Sequence, residues 1–261
     1  RGRVPPRMNP LYDSHCHLDA GEFDADRGQV LARARAAGVT RQLVPAVDRP
    51  SWDAIAGLCA ADPGLRPAWG LHPMFLDRHQ PAHLDELAGW LATRRPAAVG
   101  ECGLDYFVEG LDPERQRLYF HRQLELAREF DLPVVLHARR AVDEVIAAIR
   151  RVGRLRGVVH SWSGSEEQAR QLFGLGFCLG IGGPVTYERA RRLRRTVAAM
   201  PLEFLLLETD APDQPGDGHR GERNEPGYLP DVLAVVAGLR GMEPEAVAEA
   251  TTSNAIALFG R

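Results

Sequence analysis

The stretch Leu11-Tyr12-Asp13-Ser14-His15-Cys16-His17-Leu18-Asp19 decides how the rest of the chain is read. Its first half, Leu11–His15, has the composition of a short β-strand, and it runs straight into His-x-His. An open doubly wound α/β sheet normally places a glycine-rich dinucleotide fingerprint after its first strand. Here two imidazoles stand in that place. In an extended segment residues i and i+2 face the same side, so His15 and His17 point together while Cys16 points away.

Working outward, the chain alternates short apolar runs with longer amphipathic segments almost from end to end. Strands are predicted near Leu11–His15, Arg41–Ala46, Arg66–Leu71, Ala97–Glu101, Val134–His137, Gly157–His160, Phe177–Ile181 and Phe204–Glu208. Runs such as Val134-Val135-Leu136 and Leu205-Leu206-Leu207 suit strands covered on both faces. Between them, Asp112-Pro113 opens a helix, Val142, Val145, Ile146 and Ile149 form one apolar stripe, and Ser165 with Gln168 makes a capping box. Eight strand-then-helix units in about 250 residues is the usual size of a TIM barrel. The expected fold is therefore α/β, a single (β/α)8 barrel over residues 8–261. Residues 1–7 are polar and proline-broken, and we read Met8 as the natural start, with an extension before it that is not native.

In a barrel of this kind catalytic groups come from the C-terminal ends of the strands. His15 and His17 stand at the first such end, Glu101 at the fourth, His137 at the fifth, His160 at the sixth and Asp210 at the eighth. All six are nitrogen or carboxylate donors on one predicted rim. The set exceeds the three protein ligands of an ordinary mononuclear catalytic site and suits two ions about 3.5–4 Å apart. The 32 basic residues are all arginine. Without lysine there is no Schiff base, no Walker-type phosphate loop and no carbamylated lysine to bridge two metals. The bridge must be a carboxylate, and Glu101 is the natural candidate.

Several segments in order resemble one family. Asp13-Ser-His15-Cys-His17-Leu-Asp19, Gly100-Glu101-Cys-Gly103-Leu-Asp105, Pro133-Val-Val-Leu-His137-Ala-Arg139, His160-Ser-Trp-Ser163-Gly164 and Leu207-Glu208-Thr-Asp210-Ala-Pro212 look like the successive motifs of the TatD-type metal-dependent deoxyribonucleases. Arg220-Gly-Glu-Arg-Asn224-Glu225-Pro226 and the tail through Asn254 to Gly260 agree. The resemblance implies a barrel hydrolase with two divalent ions, one held by His15, His17 and Asp210, the other by His137 and His160, with Glu101 between them. It also implies 3′-to-5′ exonuclease action on nucleic-acid phosphodiesters. Ser161-Trp162 and Arg140 depart from the family pattern and bear on substrate preference; no ligand is lost.

From this follow the expected roles. A hydroxide bridging the two ions attacks, and Asp210 orients the water and takes its proton, with Glu101 bridging. Asp13 and Asp19 are expected to hydrogen-bond ligand imidazoles. His72, Arg139, Arg223 and Asn224 are the expected substrate contacts, Arg139 as a phosphate clamp. His79 and His83 are read as solvated, and Arg189–Arg195 as a wet helix face that can also meet a nucleic-acid backbone. The donor set accepts zinc, manganese, cobalt or nickel, and magnesium weakly. The expected partner is DNA, single-stranded or at 3′ ends, for a monomeric protein. A net charge of −3 gives no basic surface at large. It leaves open the same site acting on a small ester, lactone or amide, or an aminoacyl-tRNA ester. A silent binding barrel would be favoured by a missing ligand. Four widely spaced cysteines, no membrane-length apolar run and no signal-like apolar core are read as cytoplasmic.

Overall fold

A computed structural model describes residues 10–260; the expected start at Met8 and the extension before it lie outside them. Eight strands form one parallel sheet in chain order: β1 (Leu11–Asp13), β2 (Val39–Pro45), β3 (Leu65–Trp69), β4 (Ala98–Asp105), β5 (Val134–Arg139), β6 (Gly157–Val159), β7 (Phe177–Ile181) and β8 (Leu205–Leu207). Helices α1 (Arg27–Ala36), α2 (Arg49–Ala61), α3 (Ala82–Arg94), α4 (Pro113–Glu129), α5 (Val142–Val152), α6 (Glu166–Gly174) and α7 (Arg191–Ala199) separate them, with α8 (Leu229–Arg240) and α9 (Pro244–Phe259) after the last strand. This is the (β/α)8 barrel. Its ends meet where the Ser14 N–H donates to the Leu207 carbonyl at 2.9 Å and that of Asp210 to the His15 carbonyl at 2.8 Å.

Local chemistry starts the helices where the sequence says. The Asp112 carboxylate accepts the N–H groups of Glu114 and Arg115 ahead of Pro113, and Ser165 and Gln168 cap each other at α6. Strand alternation sorts the core into two clusters. Val134, Leu136, Leu205 and Leu207 join the large cluster shared with the helices. Val135, Val158 and Leu206 join a small one with Tyr12 and Leu43, closed by Phe259 of α9. Two residues beyond Val135 and Val158 come His137 and His160, so alternation alone aims both rings into the barrel.

The boundaries differ from expectation in ways that matter. β1, β6 and β8 stop before His15, His160 and Asp210, which sit in the segments just beyond. His15 and His17 therefore do not continue a strand. Their segment bonds to both neighbours instead, Cys16 N–H to Leu43 at 3.0 Å and His17 N–H to Ala211 at 2.8 Å. β4, in contrast, runs past Glu101 to Asp105. Its register against β5 shifts between Val99 and Cys102. Ala98 belongs to the inner cluster and Val99 to the outer, so unbroken alternation would turn residue 101 outward. The bulge resets the phase, leaving Cys102 and Leu104 in the outer cluster and Glu101 inside.

After the bulge β4 lies tight against β5. Gly103 has φ +151, and a Cβ there would stand 1.9 Å from the His137 carbonyl oxygen. Only glycine meets both demands. Gly103→Ala is expected to destabilise the fold by about 1–3 kcal/mol or more, the range for overpacking. That is read as a melting temperature several degrees lower, and an unchanged midpoint would contradict this packing.

Candidate metal centre

Glu101 is the pivot of the site. Its side chain is buried, and neither it nor Asp210 pairs with an arginine among the described residues. A buried carboxylate without cationic compensation is costly, so the surrounding imidazoles must carry charge or hold a cation. The two oxygens face different partners. Oε2 lies 3.0 Å from Nε2 of His15 and 3.3 Å from Nε2 of His17. Oε1 lies 2.7 Å from Nε2 of His160, 2.9 Å from Nε2 of His72 and 3.1 Å from Nδ1 of His137. Asp210 places Oδ1 3.5 Å from Nε2 of both His15 and His17.

These spacings suit cations. Donors held about 2.0–2.2 Å from one ion stand roughly 3–3.5 Å from each other. His15, His17 and Asp210 form one metal-capable grouping, and others arise from His15, Glu101 and His160 and from His72, Glu101 and His137. Of the nitrogens turned away from the cluster, those of His17 and His137 are hydrogen-bonded, while Nδ1 of His15 and of His160 are not, among the described residues. Nδ1 of His17 donates to the Pro45 carbonyl at 3.2 Å, and Nε2 of His137 to the Asp105 carboxylate at 2.7 Å. Nδ1 of His160 lies 3.6 Å from the Glu208 carboxylate. Such partners orient a ring and raise its basicity as a ligand.

The electrostatics agree. Burial alone would raise the Glu101 pKa, but His160, His72 and His15 outweigh it and hold the carboxyl well below its usual range. Asp210 is likewise lowered against burial, chiefly by the His17 hydrogen bond. Burial would depress His17 and His160, yet their carboxylate partners carry both well above the ordinary imidazole value. For His72 burial wins, and its pKa falls to about 4. Anions and protons held together in this way are the groups at which metal binding releases protons.

Residues 12–260 match the family described as TatD related DNase. The chain belongs to that family. It is 41% identical to the uncharacterized metal-dependent hydrolase YjjV of Escherichia coli strain K12, with 95% of this chain and 96% of that one covered. The crystal structure of that TatD homologue superposes with a TM-score of 0.92 at 40% identity, over 96% of this chain and 98% of the other. A relative from Klebsiella pneumoniae strain 342, named 3′-5′ ssDNA/RNA exonuclease TatD, is 35% identical over 96% of this chain and 98% of its own length. The protein is thus a metal-dependent hydrolase of the TatD family.

The structure brings together His15, His17, Glu101, His137, His160 and Asp210, and sets His72 among them. Arg139 is exposed on the same cavity, its guanidinium 3.6 Å over the Phe107 ring. Two expected substrate contacts are engaged elsewhere. Arg223 makes a two-pronged pair with Asp26, both contacts 2.8 Å. Asn224 is buried, its amide giving hydrogen bonds to the Thr209 and Asp213 carbonyls, so it ties the loop after β8. Neither lines the cavity.

Asp13 and Asp19 also differ from expectation. Asp13 accepts from the His15 N–H and from both the N–H and hydroxyl of Thr209, lacing β1 to the end of β8. Asp19 has a buried oxygen with no hydrogen-bond partner. His79 is buried, not solvated. The imidazole partners that sequence reasoning missed are Asp105 and Glu208. Both lie within quoted motifs, and even spacing from Glu101 marked Asp105 as facing the same way.

Treatment with a chelator should lower the melting temperature of metal-loaded protein, and zinc or manganese added back should restore it. A ligand at 100 times its Kd stabilises by about 2.7 kcal/mol. Because protons compete for the raised His17 and His160, apparent ion affinity should strengthen as pH rises through neutrality. Calorimetric titrations at several pH values check this; affinity that ignores pH would count against ligation by these rings.

Proposed function

We propose that the protein hydrolyses phosphodiester bonds of single-stranded nucleic acid, DNA foremost, working from a 3′ end with two divalent ions. The observation that carries this reading is the content of one cavity of about 1100 Å³. It is lined by His17, His72, Glu101, His137, His160 and Asp210, and equally by Arg139, Arg189, Arg191 and Arg192. None of these four arginines has a carboxylate partner among the described residues. Arg192 donates to the Ser163 carbonyl, and Arg139 and Arg189 lie over Phe107 and Tyr187. Guanidinium groups left without acids beside a cation site suit a chain of phosphates. The family's exonuclease-named members support the same reading.

His15, His17 and Asp210 with Oε2 of Glu101 would hold one ion, and His137 and His160 with Oε1 the other. Bound there, two ions lower the pKa of water and neutralise charge growing on the phosphate. Asp210 is the group we assign to orient the water and take its proton. Its Oδ2 accepts from the Gln214 amide at 2.6 Å, which fixes the carboxylate with Oδ1 toward the imidazoles. Trp162 is buried and lines the same cavity, its ring packed against Gly164.

End-labelled single-stranded DNA should be shortened when the protein carries magnesium, manganese or zinc. No cleavage with any of them, alongside turnover of a small ester or lactone, would move the assignment to small-molecule hydrolysis. Asp210→Asn should lower kcat by about 10²–10⁴, the span for a positioned general base. Arg191→Ala with Arg192→Ala should raise KM for a long oligonucleotide and flatten its salt dependence by about 0.7 per lost phosphate contact. Bis(p-nitrophenyl) phosphate, too short to reach that wall, should turn over as before. Equal losses on both substrates would remove these arginines from phosphate tracking.

A further inference from the structure

Among the imidazoles around Glu101, His72 qualifies as a ligand by distance alone, in a grouping with Glu101 and His137. Its other nitrogen says otherwise. A backbone N–H can only donate, and that of Met74 meets Nδ1 of His72 at 3.1 Å, capping the 3-10 turn Pro73–Arg78. A ring nitrogen that accepts carries no proton, so the neutral ring bears its one proton on Nε2. That N–H is aimed at Oε1 of Glu101, 2.9 Å away. Binding an ion through Nε2 would require this proton to leave as well, making a buried imidazolate.

His17 and His137 show the opposite arrangement. A carbonyl oxygen only accepts, so Nδ1 of His17 donates to Pro45, and its Nε2 offers a lone pair to an ion once its own proton leaves, with no imidazolate formed. Nε2 of His137 donates to the Asp105 carboxylate, so its Nδ1 can give up its proton and offer the lone pair to an ion in the same way. In ligand geometry the proton points away from the site; in His72 it points in.

We infer that His72 is a positioning residue and not a metal ligand: its Nε2–H donates to Oε1 of Glu101 and fixes the carboxylate oxygen that faces His137 and His160. The inference rests on the two-ion reading proposed above. The ring is itself held from behind. Nε2 of the buried His79 meets the His72 carbonyl at 2.8 Å, and the Arg115 guanidinium of α4 donates to the His79 carbonyl at 2.6 Å. A line of hydrogen bonds thus runs from an outer helix through His79 and His72 to the bridging carboxylate.

Two variants separate the two ends of the ring. In His72→Asn the side-chain oxygen can still cap the turn as Nδ1 does, since asparagine is a strong N-cap, but its amide falls short of Glu101. In His72→Gln the longer amide reaches the place of Nε2 and the cap is lost. After loading with zinc or manganese and desalting, both should retain as many ions per chain as wild type by inductively coupled plasma mass spectrometry. By calorimetry His72→Asn should bind those ions about 10–100-fold more weakly, the usual effect of losing a ligand's hydrogen-bond partner, while its metal-free melting temperature stays near wild type. His72→Gln should recover most of the affinity at a lower melting temperature.

Loss of an ion in either variant, as in His137→Ala, would make His72 a ligand and overturn the inference. So would wild-type affinity in His72→Asn, which would leave only the cap, or a glutamine variant no better than the asparagine one. Wild-type protein that takes up one ion would defeat the two-ion reading, yet the ratio between variants would still decide what His72 does.

Discussion

A buried carboxylate that pairs with no arginine among the described residues is the constraint on which this structure turns. Glu101 sits inside the barrel with five imidazole nitrogens within 3.3 Å of its two oxygens. Desolvating such a group is tolerable only if positive charge is close and well aimed. Each neighbouring feature can be traced to that demand. The bulge in β4 turns Glu101 inward, Gly103 lets the same strand close on β5, and the strand ends deliver rings from both sides. Removing one member of such a buried set characteristically costs about 3–5 kcal/mol, because the remaining charge is stranded.

Holding the cluster open as a cation site is the work of groups one step further out. The Pro45 carbonyl and the Asp105 and Glu208 carboxylates lie behind His17, His137 and His160. Gly180 leaves the space that Glu208 needs, since a Cβ there would stand 2.0 Å from its Oε2. Asp13 ties β1 to Thr209, so the seam of the barrel closes beside the donors it brings together. Stability and site geometry are therefore supplied by the same contacts. In a TIM barrel this coupling is natural, because the strand ends that close the sheet also carry the chemistry.

Much of this was legible beforehand. Apolar runs of strand length alternating with capped amphipathic helices specified eight units, and six donors at the same end of five of them specified a metal site. The less legible residues fall into a pattern. Position in a motif suggests roles for Arg223, Asn224, Asp13 and Asp19, yet a side chain's partner depends on what the fold brings beside it. Asp26 lies 197 residues from Arg223 and Thr209 lies 196 from Asp13. His79 looked solvated because its own segment is polar; α4, arriving later in the chain, covers it.

By itself the sequence determined the alternation of elements, the absence of lysine, and which side chains could ligate, since all follow from residue type and short spacing. Tertiary structure alone decided that β4 bulges so that Glu101 faces inward, that β1 ends before its histidines, and that Oε1 and Oε2 address different partners. It also decided the proton position on His72, set by a backbone N–H two residues on and a carboxylate twenty-nine away. Residue type gives an imidazole two nitrogens with equal claim to a metal. Only the groups packed against each nitrogen settle which one is free to bind.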